Sequence, residues 1–209
     1  MLKSTFAKRI TSILLALILV LSTAVVFVGC KKDGIPDDLI PYNVDANGNP
    51  TSYYKNEYDK DGNLIKEQTY NSEGELISYN TNEFDDRGNK TVSVFYDKDG
   101  KVAGETQVEY NDQNLPTKQT NLDAKGKVTD YTVKEYNEQG LDSKIYRYDG
   151  DDTLKSYTVY EYNDKKECIK MTEHTGKGEV KYYVEYKYDK EGNMTSYQYD
   201  AKGNLVEKK

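Results

Sequence analysis

The same grammar returns every 26 residues along most of this chain. Glu57, Glu83, Glu109, Glu135 and Glu161 fall in one column and Tyr58, Phe84, Tyr110, Tyr136 and Tyr162 in the next, continuing to Lys187 and Tyr188. A fixed period of this size, held without drift, marks a repeat architecture in which each unit packs on its neighbours. Such regularity leaves little room for a unique reactive pocket.

Each unit carries a pair of turn signals. The first series starts at Tyr58, Phe84, Tyr110, Tyr136, Tyr162 and Tyr188; the second starts at Val44, Tyr70, Tyr96, Leu122, Tyr148 and His174, with a last copy at Tyr199 after one residue is lost. Most copies read aromatic-Asp/Asn-x-x-Gly, as in Tyr58-Asp59-Lys60-Asp61-Gly62. Asp or Asn accepts a local backbone hydrogen bond and opens a type I turn, and Gly supplies the positive φ that a G1 bulge needs. The intervening segments, such as LISYNTNE and KTVSVF, are rich in Thr, Val, Ile and Tyr and show no helical period. They are too short for parallel crossovers. The expected fold is all-β: an antiparallel meander of hairpins, about a dozen strands at two per repeat, forming a single twisted or coiled sheet.

Turn geometry also fixes pairing. A three-residue loop closed by Asp59 and Asn63 sets Tyr58 opposite Leu64, and the same construction pairs Tyr70 with Leu76, Tyr96 with Val102, Leu122 with Val128, Tyr148 with Leu154 and Tyr188 with Met194. Counting by twos places all these pairs on one face. The other face then carries Tyr53, Tyr79, Glu105, Tyr131, Tyr157 and Tyr183. With aromatic and charged residues on both sides, the sheet has no reason to fold into two layers. Pro50 and Glu207-Lys208-Lys209 read as guards on the two edges.

The N-terminus has a separate logic. A basic stretch ending at Lys8-Arg9 precedes an apolar run from Ile13 to Val28, the pattern of a secretory signal. The stretch from Ile10 to Val28 is nearly long enough to serve instead as an uncleaved membrane anchor. Its last residues, Phe27-Val28-Gly29-Cys30, resemble the lipobox of bacterial lipoproteins. That resemblance implies a signal peptide over 1–29, cleavage before Cys30, and a thioether-linked diacylglycerol on Cys30 that holds the chain at the extracytoplasmic face of a cell membrane. Residues 30–43 then read as the acylated cysteine and a flexible tether, and 44–209 as the repeat domain.

The repeating Tyr-Asp-x-x-Gly-x-Leu unit, as at Tyr58 to Leu64, is similar to the YD repeat of RHS and teneurin proteins, and the similarity covers about residues 44–209. It implies a spiralling β-sheet; in an array this short it does not imply an enclosing shell.

Composition excludes several function classes. The chain has a net charge of −7, and because residues 1–29 hold only basic groups the remainder carries −10. Nucleic acid is therefore not an expected partner. With one histidine, His174, and one cysteine besides Cys30, namely Cys168, neither a catalytic triad nor a His/Cys metal site can be assembled. The Asp59-Lys60-Asp61-Gly62 loop is too short for an EF-hand. Carboxylates recur as columns rather than as one perturbed pair. No cofactor, no metal and no enzymatic activity are expected.

The leading expectation is a non-enzymatic lipoprotein whose sheet acts as scaffold or interaction surface, meeting a glycan or a protein at the cell surface. One alternative is a carbohydrate or cell-wall polymer module in which Tyr53, Tyr79, Tyr131, Tyr157 and Tyr183 stack on sugar rings. Another, implied only by the YD-repeat resemblance, is an accessory or immunity-like partner of a toxin system.

Overall fold

A computed structural model describes residues 34–209. Cys30 and the expected signal peptide lie outside the described residues. The strands are β1 Ile40–Val44, β2 Pro50–Tyr58, β3 Leu64–Asn71, β4 Leu76–Phe84, β5 Lys90–Asp97, β6 Val102–Tyr110 and β7 Pro116–Asp123. They continue as β8 Val128–Tyr136, β9 Asp142–Asp149, β10 Leu154–Tyr162, β11 Cys168–Thr175, β12 Val180–Tyr188, β13 Met194–Asp200 and β14 Leu205–Lys208. All 14 join one antiparallel sheet in strict chain order, open at both edges. Each strand touches only its sequence neighbours, so among the described residues no second sheet layer covers either face.

The turns form as their residues dictate. Asp59 N–H donates to the carbonyl of Asn63 at 3.0 Å and Gly62 N–H to that of Asp59 at 3.2 Å. Asp59 Oδ1 accepts from the backbone of Asp61 and Asn63, both at 2.9 Å, while Oδ2 accepts from Asn63 Nδ2 at 2.8 Å. The same clamp recurs at Asp45, Asp85, Asp189 and Asp200. Asn114, Asp152 and Lys166 occupy the glycine position with φ of 61°, 66° and 66°.

All the expected turn-flanking pairs are present: Tyr58 faces Leu64, Tyr70 Leu76, Tyr96 Val102, Leu122 Val128, Tyr148 Leu154 and Tyr188 Met194. Their common face is not. After Tyr58↔Leu64 the next pair is Glu57↔Lys66, which leaves Ile65 unpaired; Ile77 is skipped in the same way after Tyr70↔Leu76. Such a bulge reverses the in/out count along the strand. Tyr58–Leu64 and the other first-series pairs therefore lie on one face and Tyr70–Leu76 and the second series on the other. Tyr53, Tyr79, Glu105, Tyr131, Tyr157 and Tyr183 share the second-series face, directly opposite Tyr70, Tyr96, Leu122, Tyr148, His174 and Tyr199. We call this the ladder face.

The lost residue before Tyr199 now has a structural meaning. The β12–β13 hairpin is the one whose register runs from Tyr188↔Met194 straight to Lys187↔Thr195 with no bulge. Dropping both a residue and a bulge leaves Tyr199 in phase with Tyr183.

The edges differ from expectation as well. Pro50 opens the inner strand β2, and the edge strand β1 carries Pro41 instead. Residues 35–39, expected within a free tether, dock on the ladder face. Ile35, 8% exposed, and Leu39, 5%, cover Tyr53, which is 1% exposed, and Tyr70 packs against them. Asp38 accepts an ion pair from Lys55 at 2.6 Å. This small cluster is the buried hydrophobic core at the N-terminal end of the sheet.

Lys166→Gly should stabilise the protein by about 1 kcal/mol, because a lysine held at positive φ carries backbone strain that glycine relieves. An unchanged urea midpoint would count against that strain. Acid should act through the turns. In Asp45, Asp59, Asp85, Asp189 and Asp200 the side-chain amide of the asparagine four residues on, then its backbone N–H, holds the carboxyl below its ordinary value of 3.8. A depressed folded-state pKa contributes stability that is complete above 3.8 and fades as pH falls through the folded value. Asp59→Asn with Asp85→Asn should accordingly flatten the fall in urea midpoint between about pH 4 and pH 2.

Candidate functional site

The ladder face is built from rows that run across strands. Glu57 pairs with Lys66, Glu109 with Lys118, Glu135 with Lys144 and Glu161 with Lys170. Two of these lysines reach back to their glutamates, Lys66 at 3.6 Å and Lys118 at 3.9 Å. They also lie over tyrosines of the next strand: Lys66 Nζ is 5.1 Å from the Tyr79 centroid, Lys118 4.9 Å from Tyr131, and Lys170 4.9 Å from Tyr183.

On the other side of each ring stands an aromatic from the following strand. Tyr79 stacks on Tyr96 at 4.5 Å, Tyr131 on Tyr148 at 4.6 Å, Tyr157 on His174 at 4.4 Å and Tyr183 on Tyr199 at 4.8 Å, all within 13° of parallel. Tyr146, on the preceding strand, fills the lysine's place beside Tyr157, at 5.7 Å. Tyr53 is sealed under Ile35 and Leu39. Glu105 interrupts the column and accepts from Gln107 Nε2 at 2.7 Å.

The expected sugar-stacking residues thus form one column, with their ring faces already occupied. A sugar packs on a bare aromatic face, and these rings offer edges and hydroxyls. Each stack contributes roughly 0.5–1.5 kcal/mol from the aromatic pair, and the lysine over Tyr79, Tyr131 or Tyr183 adds ~0.5–1 kcal/mol.

The opposite face uses its first-series tyrosines differently. The hydroxyls of Tyr110, Tyr136, Tyr162 and Tyr188 donate to the carbonyls of Lys90, Pro116, Asp142 and Cys168 at 2.9, 2.6, 2.9 and 3.0 Å. Each acceptor lies 20 residues back, so every such bond ties one hairpin to the one before it. Phe84 has no hydroxyl to give, and Asn82 Nδ2 satisfies the corresponding carbonyl, Leu64, at 2.8 Å. Burial pushes the Tyr162 phenol up to about 12. Cys168 is half-buried beside it, and burial raises its thiol too.

Between these tyrosines sits a polar cluster that the sequence reading missed. Arg147 Nη1 donates to Thr158 Oγ1 at 2.8 Å, and Thr158, 1% exposed, donates to Glu173 Oε2 at 2.6 Å. Arg147 also reaches Glu173 at 3.4 Å, and Lys181 flanks its other oxygen at 3.9 Å. Arg147 and Glu173 stand 26 residues apart in one column. Opposite charges one full period apart were the available signal. The buried carboxylate is therefore neutralised from both sides, which makes this a strand clamp rather than a reactive centre.

Among the described residues, no group of three or more His, Cys, Asp and Glu side chains is placed to hold a metal. Open clefts separate successive first-series turns; the one between Asp59 and Asp85 measures about 600 Å³. A further concavity, about 620 Å³, lies beside β1.

No family model matches the chain, and no curated protein matches it. Solved structures do show weak likeness. A porin-like protein from Bacteroides uniformis ATCC 8492 is 15% identical with a TM-score of 0.37, over 71% of this chain and 55% of that one. A chain of the TcdB2–TccC3–Cdc42 structure is 9% identical with a TM-score of 0.22, over 76% of this chain and 13% of that one. The TcdB2–TccC3 structure gives 9% and 0.23, over 76% and 14%. The chain thus spans about half of the first and a small part of the others.

Tyr79→Ala should cost about 1–3 kcal/mol in urea unfolding while Tyr79→Phe stays within ~0.5 kcal/mol, because the ring and not its hydroxyl makes the sandwich. On a polysaccharide array the ladder should give no signal; binding that Tyr157→Ala removes without loss of stability would reverse that view.

Proposed function

We propose that the protein is a non-enzymatic lipoprotein, held through Cys30 at the extracytoplasmic face of a membrane, whose repeat sheet is a scaffold and interaction surface. The observation that carries this reading is the linear nearest-neighbour sheet itself. Among the described residues no second sheet layer covers either face, and each face is held in register by its own ladder, Lys–Tyr–aromatic rows on one and tyrosine-to-carbonyl bonds on the other. Order on both faces without an enclosed interior suits a surface that is touched rather than a chamber that reacts. The anchor half of the reading is supported by the basic, apolar and Gly29-Cys30 sequence of the N-terminus.

Mass spectrometry of the protein from its own membrane should find Cys30 as the N-terminal residue with a diacylglyceryl group; an unmodified Cys30 would remove the anchor. Complementation of a deletion strain separates scaffold from catalysis. Excising residues 85–110, one full repeat, joins Phe84 to Asn111 in phase and should weaken function by degree. Complete loss of function from a single Asp or Glu substitution in a folded protein would sink the scaffold reading.

A further inference from the structure

At the N-terminal end of the face opposite the ladder, Tyr42 and Tyr54 meet edge to face, with centroids 6.1 Å apart and planes at 86°. Tyr42 is 68% exposed. These rings, with Pro41, Asn56, Glu67 and Thr69, line the concavity of about 620 Å³ beside β1. Glu67 stands in register between Asn56 and Asn80 and has no ion pair among the described residues. The nearby lysines of β2 and β3 belong to the other face, where Lys55 is paired with Asp38 and Lys66 with Glu57.

On the ladder face four half-buried tyrosines each have a lysine over the ring. Lys66, Lys118 and Lys170 cover Tyr79, Tyr131 and Tyr183, and both Lys187 and Lys208 lie over Tyr197, at 4.9 and 5.4 Å. The Tyr42–Tyr54 pair has the rings and adds a carboxylate, yet among the described residues no cation of the chain lies over it. We propose that this concavity binds a primary ammonium on an alkyl stem, supplied by a lysine side chain of a partner polypeptide or by a small alkyl amine.

The chemistry of the lining selects that group. The faces of tyrosine rings carry negative potential, and Glu67 places a carboxyl group in the same lining. Ring bodies and Pro41 suit a methylene stem, as they do when lysine lies along apolar surface. The side-chain amide donor of the site, Asn56 Nδ2, is already committed to the Tyr58 hydroxyl at 3.1 Å. A surrounding chain of net −10 beyond residue 29 draws cations toward the site.

This inference deepens the interaction-surface reading by naming a partner chemistry, and it is tested in vitro, so its failure leaves the complementation test standing. Ligand-observed NMR on the full chain in detergent would titrate Nα-acetyl-lysine methylamide against its neutral norleucine analogue, with cadaverine and N-acetylglucosamine alongside. The lysine probe should bind and the norleucine probe should not. Glu67→Gln and Tyr42→Ala should each weaken binding by roughly fivefold or more, while Tyr42→Phe, which keeps the ring, binds as the parent does. Tighter binding of the lysine probe than of cadaverine assigns the ammonium to a polypeptide, and the reverse assigns it to a small amine. Equal binding of lysine and norleucine probes, an unaffected Glu67→Gln, or preference for the saccharide overturns the proposal. Far-ultraviolet circular dichroism of each variant confirms that the sheet is intact.

Discussion

At the head of nearly every reversal, one side-chain oxygen holds two backbone N–H groups of the loop, as Asp59 Oδ1 holds those of Asp61 and Asn63. That clamp fixes a short loop, and the strand leaving it starts with one residue more than its partner can pair, Ile65 in the first full repeat. Each extra residue reverses the facing of the strand residues beyond it. The outcome is a division of the aromatic residues: first-series tyrosines on one face, second-series residues and the ladder on the other. A sheet with one dry face would bury it under a second layer. Here neither face is dry enough to demand a cover, and the single layer is a consequence of the turn.

Much of this was legible. Turn positions, loop closure and the cross-strand partners are local properties of a few residues, and Tyr58 and Leu64 lie where the loop chemistry puts them. The assignment of faces was not legible, because Ile65 and Ile77 look like ordinary strand residues and only the register shows them unpaired. The period nonetheless held a clue: the hairpin that lost a residue before Tyr199 is also the one without a bulge, so the phase of the ladder was conserved where the spacing was not. The docking of Ile35 and Leu39 was hidden for another reason. Prolines, a glycine and charges gave that stretch the look of a linker, while Ile35 and Leu39 find their partners on strands beyond the next turn. The candidate tyrosines were correctly seen as one column, but their sandwiching depends on which residues share their face, and that rested on the parity the bulges reverse.

Departures from the period carry more information about function than the period does. Where Phe84 lacks the hydroxyl of its column, Asn82 takes over the carbonyl. Arg147 and Glu173 put an ion pair where neighbouring repeats place uncharged residues, with Thr158 between them across an intervening strand. Those substitutions preserve the sheet. The Tyr42–Tyr54–Glu67 concavity is different in kind, because it pairs two tyrosines without the lysine that covers Tyr79, Tyr131 and Tyr183 on the ladder face. It also sits at β1, the first strand of the described residues.

Its position has a consequence for the anchored protein. Cys30 precedes the docked Ile35 by a few residues of chain, which reach at most ~20 Å even when fully extended. On the lipid-anchored reading, the β1 edge is therefore held within a short distance of the bilayer, and strands added at ~4.8 Å intervals carry β14 about 60 Å along the sheet axis. The docking of Ile35 and Leu39 on Tyr53 ties residues 35–39 to the sheet, so on the same reading only a short stretch of chain separates the anchor from the β1 end. A site beside β1 is then presented close to the membrane, to partners of the envelope, while the far repeats meet whatever lies beyond it.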